Sequence, residues 1–267
     1  MVLDGRGHIV TSYHVIAGAD MVTIRMFGSE TETQAKVVGF DKMSDIALLK
    51  APQNPAMVPA LLGDSSTLAP GQLVAAIGGL YDLEGSVTVG VISALSRSGL
   101  GLLDIEDFIQ TDAAMGPGLS GGPLCDAKGR VIGVNTAIFG GGQGVGFAIP
   151  SSEVAKVVAE LLRNGVVERG KIGVNLQALT PSLGEALHAG EEVKGAVVVE
   201  TEPGSPARYA GIEPGDIITE FNGKPVDGPR ELRKMVLKSP AGESAKLELL
   251  RDGKRLTVKV KIKPMKG

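Results

Sequence analysis

Apolar and polar positions in the first 150 residues fall into short runs. HIVTSYHVI, MVTIRMF, TQAKVVGF, DIALLKA, LVAAIGGL, SVTVGVISAL, RVIGVNTAIF and VGFAIP are rich in Val, Ile and Thr, with Gly, Asp, Ser and Pro clusters between them. That punctuation predicts closely spaced strands. With no helical period between them, an antiparallel barrel or sandwich is expected. The period changes at Ser151. SSEVAKVVAELLRNG puts Val154, Val157, Val158, Leu161 and Leu162 at helical spacing, with Ser151 or Ser152 placed to cap the start and Gly165 to end it. A first domain over 1–165 and a second over 170–267 follow, joined by GVVERGK.

The second domain reads as a small α+β module. KIGVNLQAL and GAVVVETE are strands and SPARYAGI is a short helix. GDIITEFNGKPV turns at Asn222-Gly223, GPRELRKMVLK is a helix with Leu232, Met235 and Val236 along one side, and KLELLRDGKRLTVKVKI turns at Asp252-Gly253. The chain as a whole is mainly β.

Composition narrows the function classes. Hydrophobic residues make up 43% of the 267, enough for two cores, and aromatics only 3%. A net charge of −3 with interspersed signs argues against nucleic acid as a partner. No run approaches a membrane span, and no signal segment opens the chain, which begins abruptly with MVLDGRG. A single cysteine, Cys125, excludes an internal disulfide, and its place after an apolar run reads as a small buried hydrophobe. His8, His14 and His188 are too scattered for a metal motif. No metal or organic cofactor is implied.

The candidate chemistry centres on GPGLSGG, residues 116 to 122. A serine hydroxyl attacks carbonyls only when a base takes its proton, usually a histidine oriented by a carboxylate. GLSGG also fits the GxSxG elbow, but that turn needs a following helix and a downstream histidine. Here Pro123 and a strand follow, and the only later histidine is His188. The order His, Asp, Ser fits the chymotrypsin-type triad instead. His14 ends the first strand as general base, and Asp45 enters the fourth run as its orienting acid. Asp41, Asp104 and Asp112 are rival carboxylates. The amides of Gly118 and Ser120 can form one nest for an oxyanion, the glycine supplying a φ that a side chain would resist.

TSYHVIAGAD, SDIALLK, TDAAMGPGLSGGPL, GVNTAIF and GVGFAIP together resemble the HtrA (DegP/DegS-like) family of ATP-independent serine proteases. RGKIGV, GSPARYAGIEPGDIITEFNGKPV and the terminal hairpin resemble that family's PDZ domain. The resemblance covers nearly the whole chain. It implies a chymotrypsin-like double β-barrel followed by one PDZ domain, with His14, Asp45 and Ser120 as the triad. Substrate would pair as a strand beside Asn135, Thr136 and Ala137, with Gly144, Gly146 and Phe147 near the side-chain pocket. The glycines of GGGQGVG read equally well as a flexible hairpin loop. In the second domain the amides of Ile172, Gly173 and Val174 would receive a peptide C-terminus. The peptide would then add as a strand facing Leu232, Met235 and Val236, residues that also suit an ordinary core.

The expected function is an endopeptidase of protein quality control or regulated proteolysis, acting on unfolded or misfolded proteins in the cell envelope or periplasm. The family also implies a homotrimer. Its opening segment, which carries a signal or anchor and helps form trimers, has no counterpart before MVLDGRG, so assembly and targeting rest on analogy alone. Gly116, Leu119 and the missing opening segment support a competing reading, a catalytically weak or silent peptide-binding scaffold. Gly116 and Leu119 stand where the family usually has Asn, and AIGGLYDL also replaces an AIGNP-like run. Leucine cannot hydrogen-bond the turn and must pack or sit exposed; if the nest is poorly held there, turnover should rise in Leu119→Asn.

Overall fold

The structure, a computed structural model, describes residues 1–138, 144–190 and 192–265. Gly140, Gly141, Gly142 and Gln143 of the GGGQGVG run lie outside them. The chain divides into two compact units, Met1–Val167 and Glu168–Gly267.

The first unit opens with β1 (His8–Ser12), the one-turn helix α1 (Tyr13–Ile16), β2 (Met21–Arg25), β3 (Glu32–Asp41) and β4 (Ile46–Lys50). These strands form an antiparallel sheet in the order β1-β4-β3-β2. Next come β5 (Leu73–Gly78), β6 (Ser86–Arg97), β7 (Phe108–Thr111), β8 (Pro123–Asp126), β9 (Val131–Ile138) and β10 (Gly146–Pro150). They close into a barrel in the order β10-β7-β6-β5-β8-β9. Ile9, Ala35, Ala47 and Leu49 form a buried cluster on the sheet, and Val74, Ile92, Ile109, Leu124 and Ile132 form another in the barrel. A third cluster joins the two halves. Val10 and Ile46 from the sheet meet Phe108 and Phe147 from the barrel under Val154, Val157 and Leu161 of α2 (Ser151–Asn164).

Two strands escaped the sequence pattern. β7 has only four residues and is flanked by acidic segments, and β8 begins on Pro123, where a strand's first residue needs no N–H. The run IVTSYHVI is not one strand. It breaks after Ser12, which puts His14 on α1 rather than at a strand end. The start of α2 also differs from expectation, since neither serine caps it. Ser151 Oγ donates to the Gly63 carbonyl at 2.7 Å, and the Ser152 amide to Ser65 Oγ at 3.1 Å. Gly165 ends the helix in the left-handed region, its N–H on the Leu161 carbonyl, while Leu162 is exposed.

In the second unit β11 (Arg169–Lys171) pairs with β18 (Lys263–Met265). A larger sheet runs β12 (Val174–Ala178), β13 (Ala196–Thr201), β14 (Ile217–Phe221), β16 (Ser244–Arg251), β17 (Lys254–Lys261), with β15 (Lys224–Pro225) beside β14. Asn222-Gly223 and Asp252-Gly253 both have positive φ at their two residues, as two-residue hairpin turns require. Helices α3 (Pro181–Ala186), α4 (Pro206–Tyr209) and α5 (Pro229–Leu237) complete the module. Of these α3 was not foreseen; Thr180 caps it, accepting the Leu183 amide. Leu232 of α5 is fully buried with Val198, Ile218, Phe221 and Leu247.

Asp216, wholly buried, is the polar fixture of this unit. It accepts Arg251 Nε at 2.6 Å, an Arg251 terminal nitrogen at 2.8 Å and the Glu213 amide at 2.9 Å. Removing the guanidinium strands a buried carboxylate. Arg251→Ala is therefore expected to cost about 3 kcal/mol in urea unfolding of the second unit; a loss near zero would show that water replaces the arginine.

Candidate active site

His14 and Asp45 meet across a hairpin end. Asp45 is the last turn residue before β4, held at φ 57, a left-handed conformation that aspartate tolerates. The Tyr13 amide donates to its carbonyl at 3.0 Å, which seats α1 over the turn. The Asp45 carboxylate then accepts the His14 amide at 2.8 Å and lies 2.7 Å from His14 Nδ1. Thr136 Oγ1 donates a third bond at 2.6 Å. The rival Asp41 accepts Ser44 Oγ, and Asp112 accepts the Val91 amide.

Thr136 reaches this position because β9 bulges there. Its register with β10 passes from Phe147↔Ala137 to Ala148↔Asn135 and leaves Thr136 without a partner. A bulge re-aims a side chain. Here it sends the hydroxyl to Asp45 and the carbonyl to Ser120, whose Oγ donates to it at 3.2 Å. Thr136 thereby links Asp45, and His14 through it, to Ser120, although the serine hydroxyl is directed at the Thr136 carbonyl.

The glycine-rich turn is sewn to its surroundings by backbone bonds. The Gly121 amide donates to the Asn135 carbonyl at 2.8 Å, and the Asn135 amide to the Gly122 carbonyl at 2.9 Å. On the other side the Gly79 amide donates to the Gly118 carbonyl at 3.0 Å, and the Tyr81 amide to the Pro117 carbonyl at 2.9 Å. Gly118 has φ +90, and a Cβ there would collide with the Gly79 carbonyl. Among the described residues neither the Gly118 nor the Ser120 amide donates to any group. A pocket of about 200 Å³ adjoins them, lined by Met115, Gly116, Pro117, Leu119, Asn135 and Thr136.

Electrostatics follow the contacts. The hydrogen bond that His14 Nδ1 donates to Asp45 raises the His14 imidazole above its ordinary value, against a smaller opposing effect of burial. Burial pulls the Asp45 carboxyl up, but the bonds from His14 and Thr136 outweigh it and hold it below the carboxylate range. An imidazole bonded to a carboxylate at Nδ1 has Nε2 left to exchange a proton, and the His14 side chain is 48% exposed.

The other expected pocket residues are distributed differently. Gly146 abuts Met115, whose sulfur would lie 2.6 Å from a Cβ added there. Gly144 is an exposed turn residue at φ 72. The Phe147 ring is buried against Phe108, 5.5 Å between centroids, because the alternation of β10 points it into the joint core. Ala137 follows the bulge on β9. In the second unit Ile172, Gly173, Val174, Leu232 and Val236 line a groove of about 500 Å³. Met235 turns instead to the core.

Comparison with known proteins agrees with this geometry. The trypsin-like peptidase domain family matches residues 1–134 and the PDZ domain family residues 170–262. A solved structure, the HtrA-type protease AlgW with decapeptide, superposes with a TM-score of 0.90 at 37% identity, covering 100% of this chain and 82% of that one. The chain belongs to the HtrA-type serine proteases. Among HtrA-type relatives, the probable periplasmic serine endoprotease DegP-like of Brucella suis biovar 1 (strain 1330) is 42% identical over 269 residues, 99% of this chain and 52% of that protein. The periplasmic serine endoprotease DegP of Escherichia coli (strain K12) is 41% identical over 261 residues, 96% of this chain and 54% of that protein. The chain spans about half the length of the curated relatives it matches.

The departures from the HtrA pattern prove to fit one another. Leu119 is 1% exposed and inserted into the barrel core, its Cδ2 2.8 Å from where a Cβ on Gly78 would sit. Gly116 leaves room for Leu80, whose Cδ1 would be 2.8 Å from a Cβ there. AIGGLYDL and MGPGLSGG are thus two halves of one packed contact. This reverses the expectation for position 119. Leu119→Asn should lose about 3 kcal/mol of stability through lost burial and a stranded amide, read by thermal unfolding. Fluorophosphonate labelling of Ser120 should slow. A stable, faster-labelled variant would show that the turn prefers a hydrogen-bonding side chain.

Proposed function

We propose that the chain is an ATP-independent serine endopeptidase that cleaves unfolded or exposed segments of proteins. His14 takes the proton of Ser120, Asp45 fixes the imidazole and steadies its charged form, and Ser120 attacks the carbonyl. The Gly118 and Ser120 amides receive the oxyanion; one such donor is typically worth about 10²–10³ in rate. The observation that carries this reading is the meeting of Asp45, bonded to His14, and Ser120 on Thr136, beside two amides that donate to no group among the described residues. Before attack Ser120 must rotate about χ1, exchanging the Thr136 carbonyl for Nε2. Substrate would pair along Asn135–Ala137, where β9 leaves its β8 partner, with a small apolar side chain in the pocket beside Met115.

The first unit would be the protease domain, over 1–165, and the second, over 170–267, a PDZ domain binding peptide C-termini. β12 is an edge strand, so a peptide can add to it, and the Ile172 and Gly173 amides donate to no group among the described residues. By analogy with its periplasmic relatives the protein would act in the periplasm, and a homotrimer rests on the same analogy. Among the described residues no helix is long and apolar enough to cross a membrane.

Ser120→Ala should abolish cleavage of casein, assayed on gels, and leave peptide-tail binding intact; residual cleavage by a clean preparation would remove Ser120 from the mechanism. The base must be neutral to accept a proton, and Asp45 favours its protonated form. Activity should therefore rise with pH through an apparent pKa above the ordinary histidine value of about 6.5. A kcat/KM profile with its midpoint below that value would contradict the pairing. The same shift has the opposite sign for stability. His14's contribution is complete below its unfolded pKa and fades as pH rises through the raised one.

A further inference from the structure

One buried acid of the first unit takes no part in the chemistry proposed above. Glu106 lies just before β7, in the loop that leaves β6 after Arg97. Its carboxylate accepts three backbone amides. Oε2 takes that of Leu100 at 2.7 Å, and Oε1 those of Leu102 at 2.6 Å and Leu103 at 3.3 Å. Burying a carboxylate is costly unless its oxygens are bonded, so these contacts and the shape of the loop form together. The loop needs such an anchor. Gly99 and Gly101 stand at φ 79 and 76, and glycine has more conformational freedom to lose than any other residue.

A further amide leads from the loop to the site. Ile105, itself buried, donates its N–H to the Met43 carbonyl at 3.0 Å. Met43 belongs to the turn before β4, which closes through a long bond, from the Asp45 amide to the Lys42 carbonyl at 3.4 Å. That turn must hold Asp45 at φ 57, a conformation that persists only when its surroundings over-determine it. The loop adds a second grip. Leu100, Leu102 and Leu103 pack against the core cluster that contains Ile46, the residue after Asp45.

We propose that Glu106 is a positioning residue for the pair of His14 and Asp45. By fixing the loop it holds the Asp45 turn, and through it the imidazole, in place for Ser120. The inference rests on the triad reading above and adds a residue outside the triad. Its effect falls on the chemical step rather than on substrate binding, because no residue of this loop lines the pocket beside Ser120.

The test uses full-length chain carrying Glu106→Ala or Glu106→Gln, with labelling of Ser120 by a fluorophosphonate probe followed against pH. Glu106→Ala should label about ten- to a hundredfold more slowly, the expected effect of displacing a reacting group by about 1 Å. Its apparent pKa should fall back toward the ordinary histidine value of about 6.5, since a displaced Asp45 no longer raises His14. Glutamine keeps one acceptor oxygen for Leu102 and Leu103 but turns an NH2 toward the Leu100 amide, so Glu106→Gln should lie between alanine and the wild type on both measures. On a casein-derived peptide kcat should fall with KM unchanged. The His14 Nδ1 proton, far downfield in the NMR spectrum while it bridges to Asp45, should broaden or vanish in Glu106→Ala. Rates are referred to the folded fraction, measured by thermal unfolding. If alanine leaves no folded chain, the glutamine variant decides by the same measures. Folded variants that keep the wild-type rate and pKa would overturn the positioning role alone, and so would a loss of labelling that merely tracks the unfolded fraction. His14→Ala labelling as fast as the wild type would overturn the triad reading and this inference with it.

Discussion

One buried carboxylate holds the first unit's site together. Asp45 is almost fully enclosed, stands in a left-handed turn, and accepts bonds from two atoms of His14 and from Thr136. A charge so enclosed is tolerable only while its partners stay in place. The two bonds from His14 fix both the backbone and the ring of α1, and the bond from Thr136 crosses from the sheet to the barrel. Thr136 then reaches Ser120 through its carbonyl. The position of the imidazole relative to the serine is therefore a property of how the two halves of the unit dock, sealed by the Phe108, Phe147 and α2 core behind them.

The chain builds a nest of unused amides twice, by the same device. Gly118 at φ +90 and Gly173 at φ +78 each turn the backbone so that neighbouring N–H groups donate to nothing among the described residues. In both places a neighbour excludes a side chain: the Gly79 carbonyl crowds Gly118, and Ser205 crowds Gly173. Preorganised backbone donors require no reorganisation when negative charge arrives, whether it is a developing oxyanion or a terminal carboxylate. The surroundings differ. The first nest is braced by Leu119 in the barrel core, and the second lines the groove of the second unit.

Much of this was legible in the sequence. Val, Ile and Thr runs between Gly and Asp turns marked most strands, a 3.6-residue period marked α2, and Asn-Gly and Asp-Gly marked both hairpins of the second unit. His14, Asp45, Ser120 and Gly118 were candidates from chain order and from the HtrA resemblance, and the pairing of His14 with Asp45 is the part of that set seen as a direct contact. The failures have physical causes. A strand pattern continues past Ser12 because Tyr, Val and Ile suit strands, but α1 forms where Asp45 offers its carbonyl to Tyr13. Phe147 and Met235 had no assignable depth in the sequence, because an apolar residue beside a site and one behind it look alike without a register. Thr136 appeared only as a substrate neighbour, since a bulge leaves no signal in hydrophobic alternation. Leu119 looked like a defect because its cavity, opposite Gly78, is formed by a segment some forty residues away.

The account stands or falls on where negative charge is received. A crystal structure of the chain after reaction with a peptidyl fluorophosphonate tests it directly. The account predicts a bond from phosphorus to Ser120 Oγ, and one phosphonyl oxygen about 2.7–3.1 Å from both the Gly118 and Ser120 nitrogens. His14 should lie within hydrogen-bond reach of the adduct and still be joined to Asp45. An adduct whose oxygen faces solvent, or whose formation turns the Gly118 amide away, would contradict it.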